Sequence, residues 1–545
     1  MTEAKIRTTK WKEVTLEQAL DDDWDMIPTL TAFSQTQDFC QHLEQHRTAL
    51  ENIISRHLGI STADLVLLDR KHWVWGSFNI CLPIDIIRSH RTSALPRQAI
   101  LRLPLPFRCG EKYSPGNVEE KLRCEAATYI WLRRNCPSIP IPRLLGVGIP
   151  GVEAFTAIEN ESLWHRFLWH LQRFRAWLQG DTLAPFFRHD RSDTLSSTHG
   201  YLLLEYVMAG DPLSSSWQKY RQHGTRRDNL YRGISRILLD LARVPQPRIG
   251  SWTLNSRGII SLTNRPLLDL TMLWNRHEIP TGIPKILTYN SSPSYLQDLL
   301  SYQDLRLRHQ PNAILSRPDA VFQLSALAAL RALQPVFWKS QDSREESFVL
   351  TLPDLHQSNI FVDDDWNIVG VIDFEFAPVQ PIGIVHVPTW LTDKGVDELV
   401  GPALDEYREA HDRFLEVLQE EEESADRERA SHHPSLLPRG EEAVPSPAAK
   451  HHLSSRLRQD WQTGKMWFNA ALRSTNAFPL VFEQHIQPRF FDKFDPDMEG
   501  NALMRLWSEE DCEEFIAKKL RDKKGYDERV RGLFNAAGNR AQSQV

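Results

Sequence analysis

The residues best suited to chemistry lie between positions 350 and 378, in the stretch LTLPDLHQSNIFVDDDWNIVGVIDFEFAP. Asp354 precedes Asn359 by five positions on a polar loop, and Asp373 ends the second of two short apolar segments that follow. Carboxylate and amide oxygens are ligands that Mg²⁺ prefers, and another carboxylate can accept the proton of an attacking hydroxyl. Because phosphoryl transfer needs positioning and charge neutralisation more than covalent chemistry, the three residues suit that reaction.

Asp and Asn are also common turn formers, so their five-residue spacing alone is equally typical of a structural turn. A predicted β-hairpin separates Asn359 from Asp373, which places Asp373 at the end of a strand beside the loop. This order favours Asp354 as the proton acceptor and Asn359 and Asp373 as metal ligands.

The same stretch resembles the catalytic loop of the aminoglycoside phosphotransferase-like family, in particular its large fungal branch, within the protein-kinase-like superfamily. The pattern H-G-D-x-H-x-x-N of that family reads LPDLHQSN at 352–359, and its I-D-W/F-E reads IDFE at 372–375. The resemblance implies a catalytic base at Asp354 and metal ligands at Asn359 and Asp373. Leu352 and Pro353 depart from the pattern, since the histidine that usually braces the loop is absent.

Residues further upstream follow the order of a kinase-like N-lobe. Gly76, Ser77 and Asn79 lie in a small-residue turn between two β-prone segments, where backbone N–H groups could contact phosphates. Arg102 occupies the strand position at which kinases place the lysine that holds the α- and β-phosphates. Glu125, on the helix predicted over 118–134, would orient Arg102 through an ion pair. Taken singly, Arg102 is better explained as a solvated strand residue and Glu125 as part of a surface charge pattern on a helix, but their order together with the 354–373 segment favours the functional interpretation.

The apolar segment YLLLEYV at 201–207 lies between Gly200 and the turn-like AGDP, and predicts a buried strand. It resembles the hinge that joins the lobes of a kinase. The resemblance implies that backbone groups of Glu205 and Val207 bracket the edge of an adenine ring.

Composition excludes several other classes of protein. The chain has 545 residues, 41% of them hydrophobic and 25% charged, with 64 Lys and Arg against 71 Asp and Glu. The net charge of −7 is unlike that of a general nucleic-acid binder. The six cysteines are far apart and form no CxxC pair, which indicates a reducing compartment. We found no secretory signal and no apolar run approaching the ~18 residues of a membrane helix, so we expect a cytoplasmic protein.

These observations predict an α+β, protein-kinase-like fold with two lobes, a small β-rich N-lobe and a larger, mainly helical C-lobe. We expect a helical extension over 1–65, the N-lobe over 66–205 and the C-lobe over 206–545. A helical insertion is expected at about 151–199, and an acidic, Pro- and Ser-containing excursion at about 419–450 is predicted to be disordered.

Within the insertion, ESLWHRFLWHLQRFRAWL predicts a basic amphipathic helix. Such a helix could dock on a membrane or bind a partner. We expect it instead to pack on its own domain, because Trp and Phe recur as core residues throughout the chain.

The functional expectation is a phosphotransferase that moves the γ-phosphoryl group of ATP, with Mg²⁺, to a hydroxyl of a small-molecule acceptor. The alternative is a catalytically impaired, kinase-like nucleotide-binding or scaffold protein, favoured by Leu352 and by the incomplete glycine loop. A protein kinase proper is disfavoured, because Asp373-Phe374 is followed by Glu375 and no A-P-E motif closes an activation segment. We expect a monomer that binds neither nucleic acid nor membrane.

Overall fold

The computed structural model of the chain describes residues 5–9, 12–87, 94–151, 153–190, 199–338, 347–432, 452–491, 495–508 and 511–543. The N-terminal segment contains a short hairpin and three helices, with the bounds β1 Lys5–Arg7, β2 Glu13–Thr15, α1 Leu16–Asp21, α2 Ile27–Gln45 and α3 Arg47–Leu58. The two longer helices, α2 and α3, meet at His46.

The N-lobe is an eight-stranded antiparallel sheet. Its elements are β3 Leu65–Leu67, β4 Val74–Trp75, β5 Asn79–Ile86, β6 Gln98–Pro104, α4 Asn117–Asn135, β7 Leu144–Ile149, β8 Glu153–Ala157, α5 Leu163–Leu178, β9 Phe186–Asp190 and β10 Tyr201–Glu205. The strand order is β3-β5-β6-β10-β7-β8-β9, and β4 pairs with the edge of β5.

Both faces of this sheet are buried along its central strands β7, β8 and β10, whose sequences are mostly apolar. Along β10, Leu202 and Leu204 belong to the core that includes α4, whereas Tyr201 and Leu203 belong to the core that includes α3. This alternation follows from the two-residue repeat of a strand. Helix α4 is thus fixed beneath the sheet, beside the cleft between the lobes.

The C-lobe is mainly helical, with three small sheets. Its elements are β11 Asp211–Pro212, α6 Leu213–Tyr220, α7 Gly224–Ala242, β12 Ser251–Leu254, β13 Ile260–Asn264, α8 Asp269–Arg276, α9 Ser292–His309, α10 Arg317–Phe337, β14 Phe348–Leu350, β15 Ile360–Val362, β16 Ile368–Val371, β17 Val379–Pro381, α11 Pro402–His432, α12 Leu453–Thr463, α13 Lys465–Arg473, α14 Phe478–Val481, α15 Asn501–Met504 and α16 Cys512–Ser543. The predicted fold class, with a β-rich N-lobe and a helical C-lobe, is confirmed.

A hairpin of the C-lobe that we did not predict, β12–β13, packs against α4. Arg265, directly after β13, forms a two-pronged ion pair with Glu120 of α4, in which Nε–Oε1 and Nη2–Oε2 are both 2.9 Å. Asn264 Nδ2 also donates to Glu120 Oε1, at 2.9 Å. All three residues are buried, so this contact ties α4 to the C-lobe.

The N-terminal segment contacts both lobes. Tyr526 of α16 accepts a hydrogen bond from the backbone N–H of Met26, at 2.9 Å. The buried His57 of α3 makes hydrogen bonds of 2.8 Å with Thr156 of β8 and Tyr201 of β10. The segment therefore joins the C-terminal helix to the N-lobe sheet.

Helix α10 contradicts the expectation that no apolar run has the length of a membrane helix. By length and composition alone it could cross a bilayer. About half of its apolar stretch, 56%, is buried, and Leu324, Leu327 and Leu330 are part of the main core. Burial of this kind is typical of the central helix of a packed lobe.

The disordered excursion expected at about 419–450 is wrong in its first part. Helix α11 continues through the acidic residues to His432. Two of those acids have fixed partners, since Glu421 pairs with Arg236 at 2.7 Å and the buried Glu422 contacts the start of α12 at Ser454. Residues 433–450 lie outside the described part of the chain.

The expectation that α5 packs on its own domain holds for only one side of the helix, where Trp169 donates to Ala184 O. Among its apolar residues only Trp169 and Ala176 are buried, and its other large aromatic side chains face solvent. The sequence showed an apolar face correctly, but periodicity does not show whether another element covers that face.

Candidate active site

A cluster of charged side chains lies beneath the N-lobe sheet, where β6 and α4 meet the segment after β16. The guanidinium of Arg102 contacts Glu125 of α4 through Nη1, and through Nη2 it contacts Asp373 Oδ1 at 2.5 Å and Glu375 Oε2 at 2.9 Å. Lys121 Nζ lies 2.5 Å from Glu375 Oε2. The ion pair expected between Arg102 and Glu125 is present, and it belongs to a larger network.

Burial sets the protonation behaviour of this cluster. Two cations face three carboxyl groups, so the fully ionised set carries a net charge of −1. Burial raises the pKa of Glu125 to about 7 and that of Asp373 to about 6, against the opposing pull of Arg102. The pKa of Glu375 is lowered, because the attraction of Lys121 and Arg102 outweighs the effect of its burial. A cluster with excess negative charge favours an additional cation.

Lys121 and Glu375 are site residues that sequence reasoning missed. Lys121 precedes Glu125 by one helical turn, a spacing that could have indicated an ion pair. Glu375 stands in the quoted IDFE motif, but its role depends on contacts across the fold. Neither the helical spacing nor the motif shows that the side chains of Lys121 and Glu375 are almost fully buried. Because a buried charge without a partner is costly, this burial makes their ion pair necessary.

The small-residue turn between β4 and β5 is a tight hairpin closed by a 3.0 Å hydrogen bond from Gly76 N to Asn79 O. Gly76 and Ser77 are exposed at its tip, and an added Cβ at Gly76 would meet no other atom. The buried Asn79 side chain has a different place from the one expected, since it bridges Glu375 (2.7 Å) and Lys121 (2.6 Å) in the cluster. The tip could therefore approach phosphates through Gly76 and Ser77, while Asn79 positions charged groups.

The expected hinge follows β10. Glu205 donates its backbone N–H to Arg143 O at 2.9 Å, and its carboxylate pairs with Arg143 Nε at 3.0 Å. The backbone N–H of Glu205 is thus occupied, so Glu205 could contact an adenine only through a different atom. In the described residues the backbone N–H of Val207 has no backbone acceptor, so this group could donate to an adenine. The Val207 side chain packs over Gly370 of β16, where an added Cβ would lie only 2.9 Å from Val207 Cγ1. This close approach holds the hinge against the hairpin that precedes Asp373.

The loop that carries Asp354 is less enclosed than the ion cluster. The Asp354 side chain is 42% exposed. Asn359 Nδ2 donates both to Asp354 O (2.9 Å) and to Asp354 Oδ2 (3.1 Å), and His356 Nε2 lies 3.3 Å from Oδ1. The hydrogen bond with Asp354 raises the pKa of His356. The imidazole and the amide together orient a carboxylate that remains accessible from solvent.

Other contacts brace the loop in place of the histidine that Leu352 replaces. Thr351 Oγ1 donates to Pro378 O at 2.9 Å, and Trp390 Nε1 donates to Leu355 O at 2.8 Å. Ser214 N, at the start of α6, donates to Gln357 O at 3.0 Å. The backbone on each side of Asp354 is therefore fixed by hydrogen bonds, although the usual side chain is absent.

Asp373 joins the loop and the cluster. Its φ of 70° lies in the left-handed region, which costs a non-glycine residue about 1–2 kcal/mol. Ile372 N donates to Asn359 O at 3.0 Å, and Asp354 and Asp373 line the same small cavity. A strained conformation held by the surrounding structure is typical of functional sites.

The donor set at this junction fits a magnesium ion. Asp373 offers a carboxylate and Asn359 a carbonyl oxygen, both hard ligands of the kind that Mg²⁺ takes. Among the described residues no donor contacts Asn359 Oδ1, while Arg102 occupies only Oδ1 of Asp373. The net charge of the adjoining cluster also favours a cation.

On the C-lobe side of the loop lie Asp269 and Arg473. Burial raises the pKa of Asp269, at the start of α8, while Arg473 acts in the opposite direction and Asp354 adds repulsion. Arg473 also lines an apolar cavity of about 160 Å³ against Leu352 and Pro353. Charged groups of both signs and an apolar wall thus surround the side of the loop away from the N-lobe.

Comparison with protein-family models finds a match over residues 89–414 to the model described as the phosphotransferase enzyme family. The matched range includes Arg102, Glu125, the hinge and the whole loop from Asp354 to Asp373. The search of curated proteins found no match.

Proposed function

The chain belongs to the phosphotransferase enzyme family, and from this premise we propose that it transfers the γ-phosphoryl group of ATP to a hydroxyl of a small-molecule acceptor in the presence of Mg²⁺. The observation that carries the proposal is that Asp354 and Asp373 line one small cavity, where Asn359 is hydrogen-bonded to Asp354 and Arg102 is paired with Asp373. A proton acceptor, two hard metal ligands and a phosphate-binding cation are what phosphoryl transfer requires.

Asp354 would accept the proton of the acceptor hydroxyl. Its exposure leaves room for a substrate, and His356 together with Asn359 holds the carboxylate in one orientation. Because Asn359 bonds both the backbone and the side chain of Asp354, metal ligand and base would move as one unit.

Arg102 would neutralise charge on the nucleotide phosphates. Its planar guanidinium can hold Glu125 and still direct another N–H at a phosphate oxygen, which a lysine cannot do with the same geometry. We propose that the Nη2 group now on Asp373 turns to phosphate when nucleotide binds, with Lys121 keeping Glu375 neutralised. Bound Mg²⁺ would supply electrostatic stabilisation of the transferring group.

The cleft would take the adenine edge at the hinge, through the backbone of Val207 and an atom of Glu205 other than its N–H. The exposed tip at Gly76 and Ser77 would cover the phosphates through its backbone N–H groups. We propose an acceptor bound on the C-lobe side of Asp354, where Asp269 and Arg473 supply opposite charges.

The test is release of ADP from Mg·ATP in the presence of a panel of sugars, amino alcohols and other small hydroxyl compounds. We expect at least one compound to accelerate ADP release over the rate with water, and to gain the phosphate. Asp354→Asn should lower that rate by about 10²–10⁴-fold, the usual contribution of a general base. The matched control is Asp364→Asn, the same chemical change on an exposed turn of the neighbouring hairpin.

Unchanged turnover in Asp354→Asn would refute the assignment of the base. Binding of ATP with no acceleration by any compound would favour the second candidate, a kinase-like nucleotide-binding protein. The observation in favour of that candidate is the direct ion pair between Arg102 and Asp373, which occupies two groups needed for ligands.

A further inference from the structure

Helix α5 of the N-lobe insertion is fixed to the body of the protein along one side. Trp169 Nε1 donates to Ala184 O at 2.9 Å. The carboxylate of Glu161 contacts His165 Nδ1 and His189 Nε2, each at 2.6 Å. These contacts set the rotation of the helix about its axis, so the direction in which its other side points is determined.

The outward side of α5 is apolar and aromatic. Seven large residues are between 48% and 82% exposed: Leu163, Trp164, Phe167, Leu171, Phe174, Trp177 and Leu178. At 3.6 residues per turn they cover an arc of roughly 140° centred opposite the buried Trp169 and Ala176. Two ring pairs organise this arc, with centroids 5.8 Å apart for Trp164–Phe167 and 6.0 Å for Phe174–Trp177. We call these seven residues the aromatic face.

The aromatic face is a contiguous apolar patch, larger than the area that singly scattered apolar residues expose. Counting about 150–250 Å² for each aromatic side chain, its four rings alone expose on the order of 400 Å² or more. Soluble surfaces rarely present a contiguous apolar patch above a few hundred Å² unless it meets a partner or a membrane.

The charges around the aromatic face indicate whether it binds a membrane or a second copy of the chain. Residues 163–178 include three arginines and no aspartate or glutamate. At 3.6 residues per turn, Arg166 and Arg173 lie along one border of the aromatic face and Arg175 along the other. Arg166 donates to the carbonyl oxygens of Glu159 and Glu161, and the Arg173 guanidinium lies 5.4 Å from the centre of the Trp169 ring. An apolar arc with Trp and Phe at its centre and arginines along both borders matches a helix that lies in the surface of an anionic bilayer. A second copy of the chain would bring arginines against arginines, which costs energy.

The length of α5 agrees with a helix on the surface of a bilayer. Its 16 residues span about 24 Å, less than the ~30 Å hydrocarbon core of a bilayer. Tryptophan is enriched where the apolar core of a membrane meets its headgroups, and Trp164 and Trp177 are both more than 60% exposed. We propose that the aromatic face of α5 docks this protein on membranes rich in anionic lipid, with Arg173 and Arg175 on headgroup phosphates and carboxylates. The proposal is independent of the phosphotransfer reaction and replaces the expectation that the chain binds no membrane.

The experiment is sedimentation of the full chain with vesicles of phosphatidylcholine plus phosphatidylserine, and with vesicles of phosphatidylcholine alone. We expect binding to the anionic vesicles that weakens with added salt, and little binding to the neutral vesicles. Phe167→Ser/Phe174→Ser should lower the partition coefficient by about tenfold or more, because two buried apolar anchors are lost. Both positions face solvent, so the thermal unfolding temperature should not fall.

The control is Ile286→Ser/Leu506→Ser, which removes two apolar residues outside α5 that are more exposed than Phe167 and Phe174, and it should leave vesicle binding unchanged. Arg173→Glu/Arg175→Glu should remove the preference for anionic vesicles. Failure of the unaltered chain to bind anionic vesicles, or equal binding by the serine pair on α5, would overturn the proposal. A dimer in light scattering that the same serine pair converts to a monomer would instead assign the aromatic face to a second copy.

Discussion

The ion cluster and the loop that carries Asp354 border the same cleft, but solvent reaches them very differently. In the cluster, the side chains of Lys121 and Glu125 are at most 1% exposed, and every charged group has a partner of opposite sign. In the loop, the side chain of Asp354 is 42% exposed and is held by one amide and one imidazole. The cluster depends on pairing because buried charge is costly, whereas the loop must leave an atom open for a substrate. Asp373 belongs to both regions.

This difference also separates what a substitution should change. Removal of one charge from the cluster leaves a buried partner uncompensated, so stability should fall first. Removal of a charge from the loop leaves groups that water can reach, so turnover should fall while the fold persists.

The largest expected effect is the loss of stability in Lys121→Met. The ammonium group touches Glu375 and Asn79, and an apolar side chain of similar length would leave Glu375 short of one cation. We expect the free energy of unfolding, measured by denaturant titration, to fall by about 3–5 kcal/mol. As a control, Lys394→Met breaks an exposed ion pair with Glu398 and should leave the free energy of unfolding almost unchanged. Equal effects of the two substitutions would contradict the contrast between cluster and surface.

The second prediction concerns pH and Asp373, whose pKa burial raises to about 6. Below that pH the carboxyl is neutral and cannot hold a cation, so Mg²⁺-dependent turnover should rise as the pH increases through about 6 and then level off. Its effect on stability has the opposite sign. The folded protein accommodates the neutral carboxyl of Asp373 better than the charged one. The contribution of Asp373 to the free energy of unfolding is therefore greatest below its pKa in the unfolded chain, about 4, and is lost as the pH rises through about 6.

The free energy of unfolding is measured at several pH values for the unaltered protein and for Asp373→Asn, so that the difference reports on the Asp373 carboxyl alone. The difference in unfolding free energy between the two proteins should change with pH between about 4 and 6 and be constant above that range. A difference that does not vary with pH would remove Asp373 from the set of groups with a raised pKa.

The third prediction tests the bracing of the loop. Trp390→Phe removes the hydrogen bond to Leu355 O and keeps most of the ring. We expect a loss of about 0.5–1.5 kcal/mol in unfolding free energy, together with a lower kcat and an almost unchanged affinity for ATP. Trp177→Phe, on the exposed side of α5, is a matched control that should change neither quantity. A wild-type kcat in Trp390→Phe would mean that this bond does not position Asp354.

The smallest expected effect is that of Asp354→Asn on stability. The side chain is half exposed, and the amide can keep one of the two hydrogen bonds with Asn359. We expect a change of no more than about 1 kcal/mol in unfolding free energy, although turnover is lost. Destabilisation as large as that of Lys121→Met would show that Asp354, like the charges of the cluster, is needed for the stability of the fold.

The order of motifs allowed the fold class, the pairing of Arg102 with Glu125 and the approach of the Asp354 loop to Asp373 to be predicted. Each of these residues stands on a strand, a loop or a helix that local pattern reveals. Lys121 and the Asn79 side chain escaped prediction, because burial of polar groups depends on contacts between elements far apart in the chain.

Two other differences have physical causes of the same kind. The β12–β13 hairpin has a recognisable turn, in which Asn255 Oδ1 accepts two backbone N–H groups and Gly258 has a φ of 77°, but its strands are short. The outward orientation of the aromatic face of α5 could not be inferred from periodicity, because an apolar stripe has the same spacing whether it is covered or exposed.

The central claim is that Asp373 and Asn359 hold a metal ion with the nucleotide while Arg102 turns to the phosphates. The most direct measurement is calorimetric titration of ATP into the protein with Mg²⁺ and, separately, with EDTA. We predict that Mg²⁺ raises the affinity about tenfold or more in the unaltered protein, equivalent to about 1.4 kcal/mol, and has little effect in Asp373→Asn. Equal affinities with Mg²⁺ and EDTA in the unaltered protein would contradict the account.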